Sequence, residues 1–250
     1  IILSALDEIA WTLNLRGNDV HCNPVFISYL LISKEGYTLY ILEDKITDEV
    51  RQYLNLHHVE IKSYSALAED LRTFKENHQG ILQISPLANE ALYDSSAQYA
   101  DTIVQASPVA LMKAVKNETE QAGFRKAMER DGVALVKFLR WLKEAVATGN
   151  ETELSVDKKL YELRAEQADF KGISFDTIAG YKEHAAIVHY EATPETDIPL
   201  KPEGLLLLDS GAQYLDGTTD ITRTIALGPL TEAEKTDYTL VLKGHLHLQN

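Results

Sequence analysis

Leu205 to Thr224 reads LLLLDSGAQYLDGTTDITRT. Four leucines run into Asp209-Ser210-Gly211-Ala212, and a second aspartate, Asp220, follows beyond a turn. Asp216-Gly217 is a turn signal between two strand-like runs, so residues 205–226 read as a β-hairpin with Asp209 on one arm and Asp220 on the other. Pairing of the arms brings both carboxylates toward one end of a sheet, while the sequence leaves the register open. Two carboxylates in an otherwise apolar hairpin repel, and burying them requires a cation, bound protons or a hydrogen-bond network. Hard or borderline divalent ions such as Mn²⁺ or Zn²⁺ meet that need. Thr222 and Thr224 alternate with apolar residues and are placed to hydrogen-bond ligand carboxylates. Arg223 falls on the other face by parity and reads as a structural ion-pair residue.

Other readings fit the same residues. A surface hairpin with solvated aspartates is one, since acidic turns are common. An aspartic protease would need a second Asp-Ser/Thr-Gly triplet, and this chain has one. The Asp-x-Asp-x-Asp-Gly pattern of a calcium loop is absent.

The chain has 250 residues, 45% hydrophobic and 25% charged, which is ordinary globular usage with enough apolar material for one large domain or two. A net charge of −14 without a Lys/Arg block argues against nucleic-acid and anionic-membrane partners. The lone Cys22 rules out an intrachain disulfide and a cysteine-based zinc site, and fits a reducing compartment. No apolar run reaches the roughly 18 residues a membrane helix needs. The chain starts at Ile1 in a strand-like run. It stops at Asn250 inside a helical pattern opened by a Thr231/Glu234 capping box, with Tyr238, Val241, Leu242 and Leu246 as its stripe. It is expected to be a fragment of a longer protein.

The first hundred residues read as mixed α/β. A strand turning into an amphipathic helix with Gly17 as its stop comes first. Strands follow over Pro24–Ser33 and Tyr37–Leu42, joined by Lys34-Glu35-Gly36. Helices start after Thr47 and Ser65, the second running to Asn77, and a short strand occupies residues 80–85. This alternation predicts a compact α/β unit with a partly parallel sheet. The character changes near Ser107-Pro108, so the boundary is placed at residue 106. A long helix follows from an Asn117/Glu120 cap to about Val146, with Phe124, Met128, Leu135, Leu139, Leu142 and Val146 as its stripe and Gly132 as a possible bend. Another helix covers residues 155–167. Successive strands are then expected over 172–180, 185–190, 204–214 and 218–227.

At the hairpin the sequence resembles the long-form Xaa-Pro aminopeptidases (aminopeptidase P) of the pita-bread metallopeptidase family. Four further stretches agree in order: Ala5–Phe26, Lys116–Leu142, Gly172–Gly180 and Ala186–Tyr190. The resemblance implies an α/β (α+β) architecture. Residues 1–106 would be a creatinase N-terminal-like middle domain lacking its start, and 107–250 the first part of an incomplete pita-bread catalytic domain. It implies a three-domain homodimer in the cytoplasm, with two divalent metal ions, typically Mn²⁺. The family site has two Asp, one His and two Glu. Asp209 and Asp220 match the two Asp, with Asp220 bridging both ions, and His189 matches a substrate-binding histidine. The remaining His and both Glu would lie past Asn250, so the 250-residue chain alone is expected to lack a complete site and activity.

The implied reaction releases the first residue of peptides with proline in second position. Hydroxide held between the ions attacks the carbonyl before proline, and metal charge and His189 stabilise the oxyanion. Prolidase is a rival enzyme, although prolidases usually lack the long middle-domain pattern. A non-enzymatic pita-bread protein that binds peptides or partners is a rival of another class, and retention of both aspartates speaks against it.

Other residues read as structural. His245 and His247 point to different faces of a helix and match no family ligand position. His57-His58 lies in a turn. His184 precedes the expected strand bearing His189. Trp11 and Trp141 sit on apolar faces and read as core or domain-contact residues. Arg16 fits a salt bridge or a cleft-facing role. Cys22 has no histidine partner signature.

Overall fold

A computed structural model describes residues 1–74 and 80–249, which fall into two units, Ile1–Lys116 and Asn117–Asn250. In the first unit the order is β1 (Ile2–Leu3), α1 (Leu6–Leu13), β2 (Ser28–Ile32), β3 (Tyr37–Ile41), α2 (Asp48–Leu56), β4 (Val59–Ser63), α3 (Ala66–Arg72), β5 (Leu82–Ile84), α4 (Glu90–Tyr99), β6 (Thr102–Val104) and α5 (Pro108–Ala114). The six strands form one sheet in the order β4-β3-β2-β1-β5-β6. The β1–β2 and β2–β3 pairs are antiparallel, while β3–β4, β1–β5 and β5–β6 are parallel. The sheet is therefore mixed, as the alternation of strands and helices implies.

Its two faces are covered by separate apolar clusters, one around Ile9, Leu30, Leu39 and Leu54, the other around Tyr40, Leu71, Leu82 and Ile84. Val109 of α5 joins the first cluster. The change of character at residue 106 thus marks the start of α5, and the units divide after Lys116.

Local signals acted as their chemistry dictates in most places. Thr47, Ser107 and Asn117 accept backbone N–H groups as helix caps. Ser65 does not: its backbone is already helical and its hydroxyl sits 3.1 Å from that of Ser63. The end of α1 comes at Asn14, with φ 49°, before Gly17. Gly17 serves close approach instead, since a Cβ there would lie 2.8 Å from the Phe26 Cβ. The expected continuation of α3 through 75–77 lies outside the described residues. His57 and His58 are exposed at the end of α2. Arg16 donates to the Ala10 and Leu15 carbonyls.

The second unit runs α6 (Glu118–Ala145), α7 (Glu153–Ala165), β7 (Phe170–Ile173), β8 (Ile178–Tyr181), β9 (Leu205–Ser210), β10 (Ala212–Tyr214), β11 (Gly217–Thr218), β12 (Ile221–Ala226) and α8 (Glu232–Leu248). Two three-stranded sheets result, β12-β9-β8 and β11-β10-β7. The core packs Leu135, Phe138 and Leu142 of α6 and Val156 and Leu160 of α7 against Leu206, Leu208 and Ile221. Each such side chain contributes about 1.5–3 kcal/mol by leaving water.

Helix α6 runs unbroken through Gly132, and the buried face of its first half differs from the expected stripe. Gly123, Ala127 and Asp131 are buried, whereas Phe124 and Met128 are 37% and 43% exposed. The small residues win because the β10–β11 turn approaches closely: a Cβ on Gly123 would stand 2.3 Å from the Asp216 carbonyl oxygen.

The single strand expected over 172–180 is two, β7 and β8, interrupted at residues 174–177. No strand forms over 185–190. A 3₁₀ turn covers Lys182–Ala186 and a tight turn follows, with Tyr190 N–H donating to the Ile187 carbonyl. His189 has φ 57°, outside the strand region.

Candidate metal centre

The alternation of β9 sets the centre. Leu206, Leu208 and Ser210 are buried at 0%, 1% and 0%, so Leu205, Leu207 and Asp209 take the opposite face. Asp209 sits in the middle strand, with Ile178 of β8 on one side and Thr222 of β12 on the other. The hairpin keeps one register along its whole length, from Ser210↔Ile221 to Gln213↔Thr218 and Tyr214↔Gly217. Continuing that register across the break between the two ladders sets Gly211 opposite Asp220. Asp220 is then diagonal to Asp209, a placement that in a regular ladder separates Cα atoms by about 7–8 Å. The turn is centred on Leu215-Asp216, with Gly217 closing it.

The break itself is built tightly. A Cβ on Gly211 would lie 2.0 Å from the Thr219 carbonyl oxygen and 2.1 Å from Ser174 Oγ, so only glycine fits. The Ser174 hydroxyl donates to the Thr219 carbonyl at 2.8 Å, and the Ser174 N–H to the Gly211 carbonyl at 3.1 Å. Thr219, 1% exposed, exchanges hydrogen bonds with the Ala212 backbone.

Beneath the break is a buried ion pair. Arg164 of α7 donates to Asp131 of α6 in bidentate fashion at 2.7 and 2.9 Å, with the two side chains 1% and 0% exposed. The Arg164 Nη1 also donates to the Gly211 carbonyl at 3.4 Å. The Tyr214 hydroxyl donates to Asp131 at 3.1 Å, and burial, with the Asp131 carboxylate, raises the Tyr214 phenol far above its ordinary range. Two helices and the hairpin therefore meet at the backbone between the two aspartates.

Asp209 Oδ1 is buried and, among the described residues, has no hydrogen-bond partner. A carboxylate oxygen in that state calls for a cation, a proton or a water to meet it. Asp220 is exposed, one residue before β12. Thr222 and Thr224 share the Asp209 face by register. A buried, unpartnered oxygen of half-buried Asp209, a diagonal second carboxylate and hydroxyls alongside form an all-oxygen donor set, which fits a hard or borderline divalent ion.

His189 is exposed on its turn. No hydrogen bond or strand pairing among the described residues links it to either aspartate. The segment is anchored by Glu153, a residue sequence reasoning missed. Fully buried at the start of α7, Glu153 takes the Tyr181 N–H at 2.8 Å and the Tyr190 hydroxyl at 2.9 Å, and meets His184 Nδ1 at 3.0 Å. The signal for Asp131 was present: a charge on the apolar stripe of α6, in phase with Ala127, Ala134 and Phe138. His245 and His247 are exposed on α8. Trp11 and Trp141 each pack partly buried against a core cluster.

Comparison with known proteins fits this geometry. Residues 1–120 match the Creatinase/Prolidase N-terminal domain, and residues 122–250 match metallopeptidase family M24. The chain belongs to metallopeptidase family M24. Among M24 relatives, a probable Xaa-Pro aminopeptidase P of Sordaria macrospora is 42% identical over 99% of this chain and 42% of its own length. Xaa-Pro aminopeptidase 1 of Dictyostelium discoideum is 42% identical over 99% of this chain and 40% of its own length. The chain thus spans about two fifths of the length of these relatives. An X-prolyl aminopeptidase of Caenorhabditis elegans, described as a cytosolic enzyme with a di-nuclear active site, superposes with a TM-score of 0.90 at 31% identity, over 98% of this chain and 41% of its own. A prolidase of Pyrococcus horikoshii superposes at 0.73 with 22% identity over 97% of this chain and 64% of its own, a likeness of fold alone.

Proposed function

We propose that this M24 chain is part of an Xaa-Pro aminopeptidase, which releases the N-terminal residue of peptides with proline in second position. Asp209 and Asp220 are two of five ligands to a pair of divalent ions, Mn²⁺ in first place, and His189 lies on the substrate side. The observation that carries this reading is the buried, unpartnered Asp209 Oδ1 on the same hairpin as Asp220. The relatives at about 40% identity are named as aminopeptidases of this kind, which favours that substrate class over the dipeptides of prolidase.

Two divalent ions held there would supply Lewis-acid polarisation of the scissile carbonyl and activation of water. The chain's own residues set the geometry for this. Asp209 holds negative charge on the middle strand β9, and Asp220 holds it just before β12. Thr222, across from Asp209, offers a hydroxyl to orient its carboxylate. His189, exposed on its turn, offers a donor to the carbonyl oxygen as charge develops there. Proline has no N–H to be read, so its selection rests on pocket shape.

We further assign the first unit, Ile1–Lys116, to a middle domain and the second, from Asn117, to the first part of the catalytic domain of a three-domain homodimer. A cytoplasmic location follows the description of the C. elegans neighbour. No described helix is long and apolar enough to cross a membrane.

The test is release of the first residue from an Xaa-Pro-Pro peptide by the complete enzyme, with and without Mn²⁺. Asp220→Ala is expected to abolish turnover and lower the bound metal. Near-wild-type turnover with manganese still bound would show that Asp220 is not a ligand.

A further inference from the structure

Two buried carboxylates stand outside the two-aspartate centre: Asp131, which is paired with Arg164, and Glu153. Glu153 is the first residue of α7 and is fully buried. A buried charge persists only where donors surround it. The Tyr181 N–H meets Oε1 at 2.8 Å, the Tyr190 hydroxyl meets Oε2 at 2.9 Å, and His184 Nδ1 stands 3.0 Å from both oxygens. The helix N-terminus adds favourable field at the same point.

These three partners bracket one segment. Tyr181 immediately precedes Lys182, His184 lies within the 3₁₀ turn, and Tyr190 immediately follows His189. The segment is left-handed at both ends, with φ 50° at Lys182 and 57° at His189. Non-glycine residues hold such angles only where surroundings over-determine them. The side chains at its tip supply no anchor: Ile187 is 53% exposed, Val188 82%, and His189 is exposed as well. The His184 and Tyr190 rings pack together, tilted by 35° with centroids 4.5 Å apart, at the base of the loop beside Glu153.

We infer that Glu153 is the positioning residue for His189, holding both ends of the loop that presents this imidazole without itself touching substrate. The inference rests on the reading of His189 as the substrate-side residue.

The test uses the complete Mn²⁺-loaded enzyme and an Xaa-Pro-Pro peptide. Glu153→Gln keeps the shape but replaces one acceptor oxygen with a donor. It is expected to lower kcat about 10–100-fold, as the loss of an orienting partner does, with KM moved less than about threefold and metal content unchanged. His189→Ala is expected to lose at least as much, and the double variant to be no slower than His189→Ala alone. If His189→Ala is slow while Glu153→Gln keeps wild-type kcat, or if the two losses multiply, the inference fails and the His189 reading stands. If His189→Ala is itself unchanged, both fail. Should Glu153→Gln not fold, Tyr190→Phe removes one donor with the ring retained and is judged by the same criteria.

Discussion

The Asp131–Arg164 pair lends itself to a quantitative test. Each side chain is almost wholly buried, and their two hydrogen bonds are 2.7 and 2.9 Å long. Removing one partner strands the other's charge in the interior, at a cost of about 3–5 kcal/mol. Arg164→Met leaves Asp131 with the Tyr214 hydroxyl as its hydrogen-bond partner, and Asp131→Leu leaves Arg164 with the Gly211 carbonyl as its hydrogen-bond partner and the charge of Asp157 nearby. The double variant strands no charge. Gly211 keeps the Ser174 N–H, so the Tyr214 hydroxyl alone loses its acceptor, at about 1–3 kcal/mol. Together the two single losses approach about 6–10 kcal/mol and the double loss about 2, giving a coupling of at least about 3 kcal/mol. The chain has two tryptophans, so in a Trp11→Phe background the fluorescence of Trp141 reports the second unit alone during urea unfolding. Each single variant should lower the midpoint by roughly 2 M, and the double by about half as much rather than the sum of the two. A coupling under about 1 kcal/mol, or a single variant within about that margin of wild type, would refute this account of the pair.

Gly211→Ala should destabilise the second unit by about 1–3 kcal/mol or more, since its Cβ would collide with the Thr219 carbonyl and Ser174 Oγ; an unchanged urea midpoint would contradict the tight break. The Asp19 carboxyl is held below its ordinary 3.8 by Lys45 at 2.5 Å and by the Ile27 N–H, against opposing burial. Its folded pKa being depressed, its stabilisation is complete above its ordinary value of 3.8 and is lost as pH falls from there through the lower folded pKa. Asp19→Asn should therefore lower thermal stability near neutrality and reduce the further loss on acidification below about pH 4; identical pH profiles for the two proteins would contradict this. The 250-residue chain carries only two of the five proposed ligands, so it should bind Mn²⁺ weakly in calorimetry and release no residue from an Xaa-Pro-Pro peptide, and manganese-dependent turnover by this chain would refute that.

Much of this protein was determined by its sequence alone. The mixed α/β first unit follows from strand and helix periods separated by caps and turns. The Thr47, Ser107, Asn117 and Thr231 caps are local chemistry, legible because donor and acceptor lie within four residues of each other. The pairing of Asp209 and Asp220 as one feature of one hairpin was legible for the same reason, since both arms and the turn lie in one short stretch.

What tertiary structure decided depended on partners distant in sequence. The register that makes Asp220 diagonal to Asp209 could not be read from the turn residues. His189 lies in a left-handed turn where alternation predicts a strand, on a segment flanked by groups that Glu153, distant in sequence, accepts. The buried side of α6 passes through Gly123 and Ala127 rather than Phe124 and Met128 because the β10–β11 turn leaves room for nothing larger. Hydrophobic period reports where apolar side chains recur, whereas close backbone approach and buried charge are set by what the rest of the chain brings alongside.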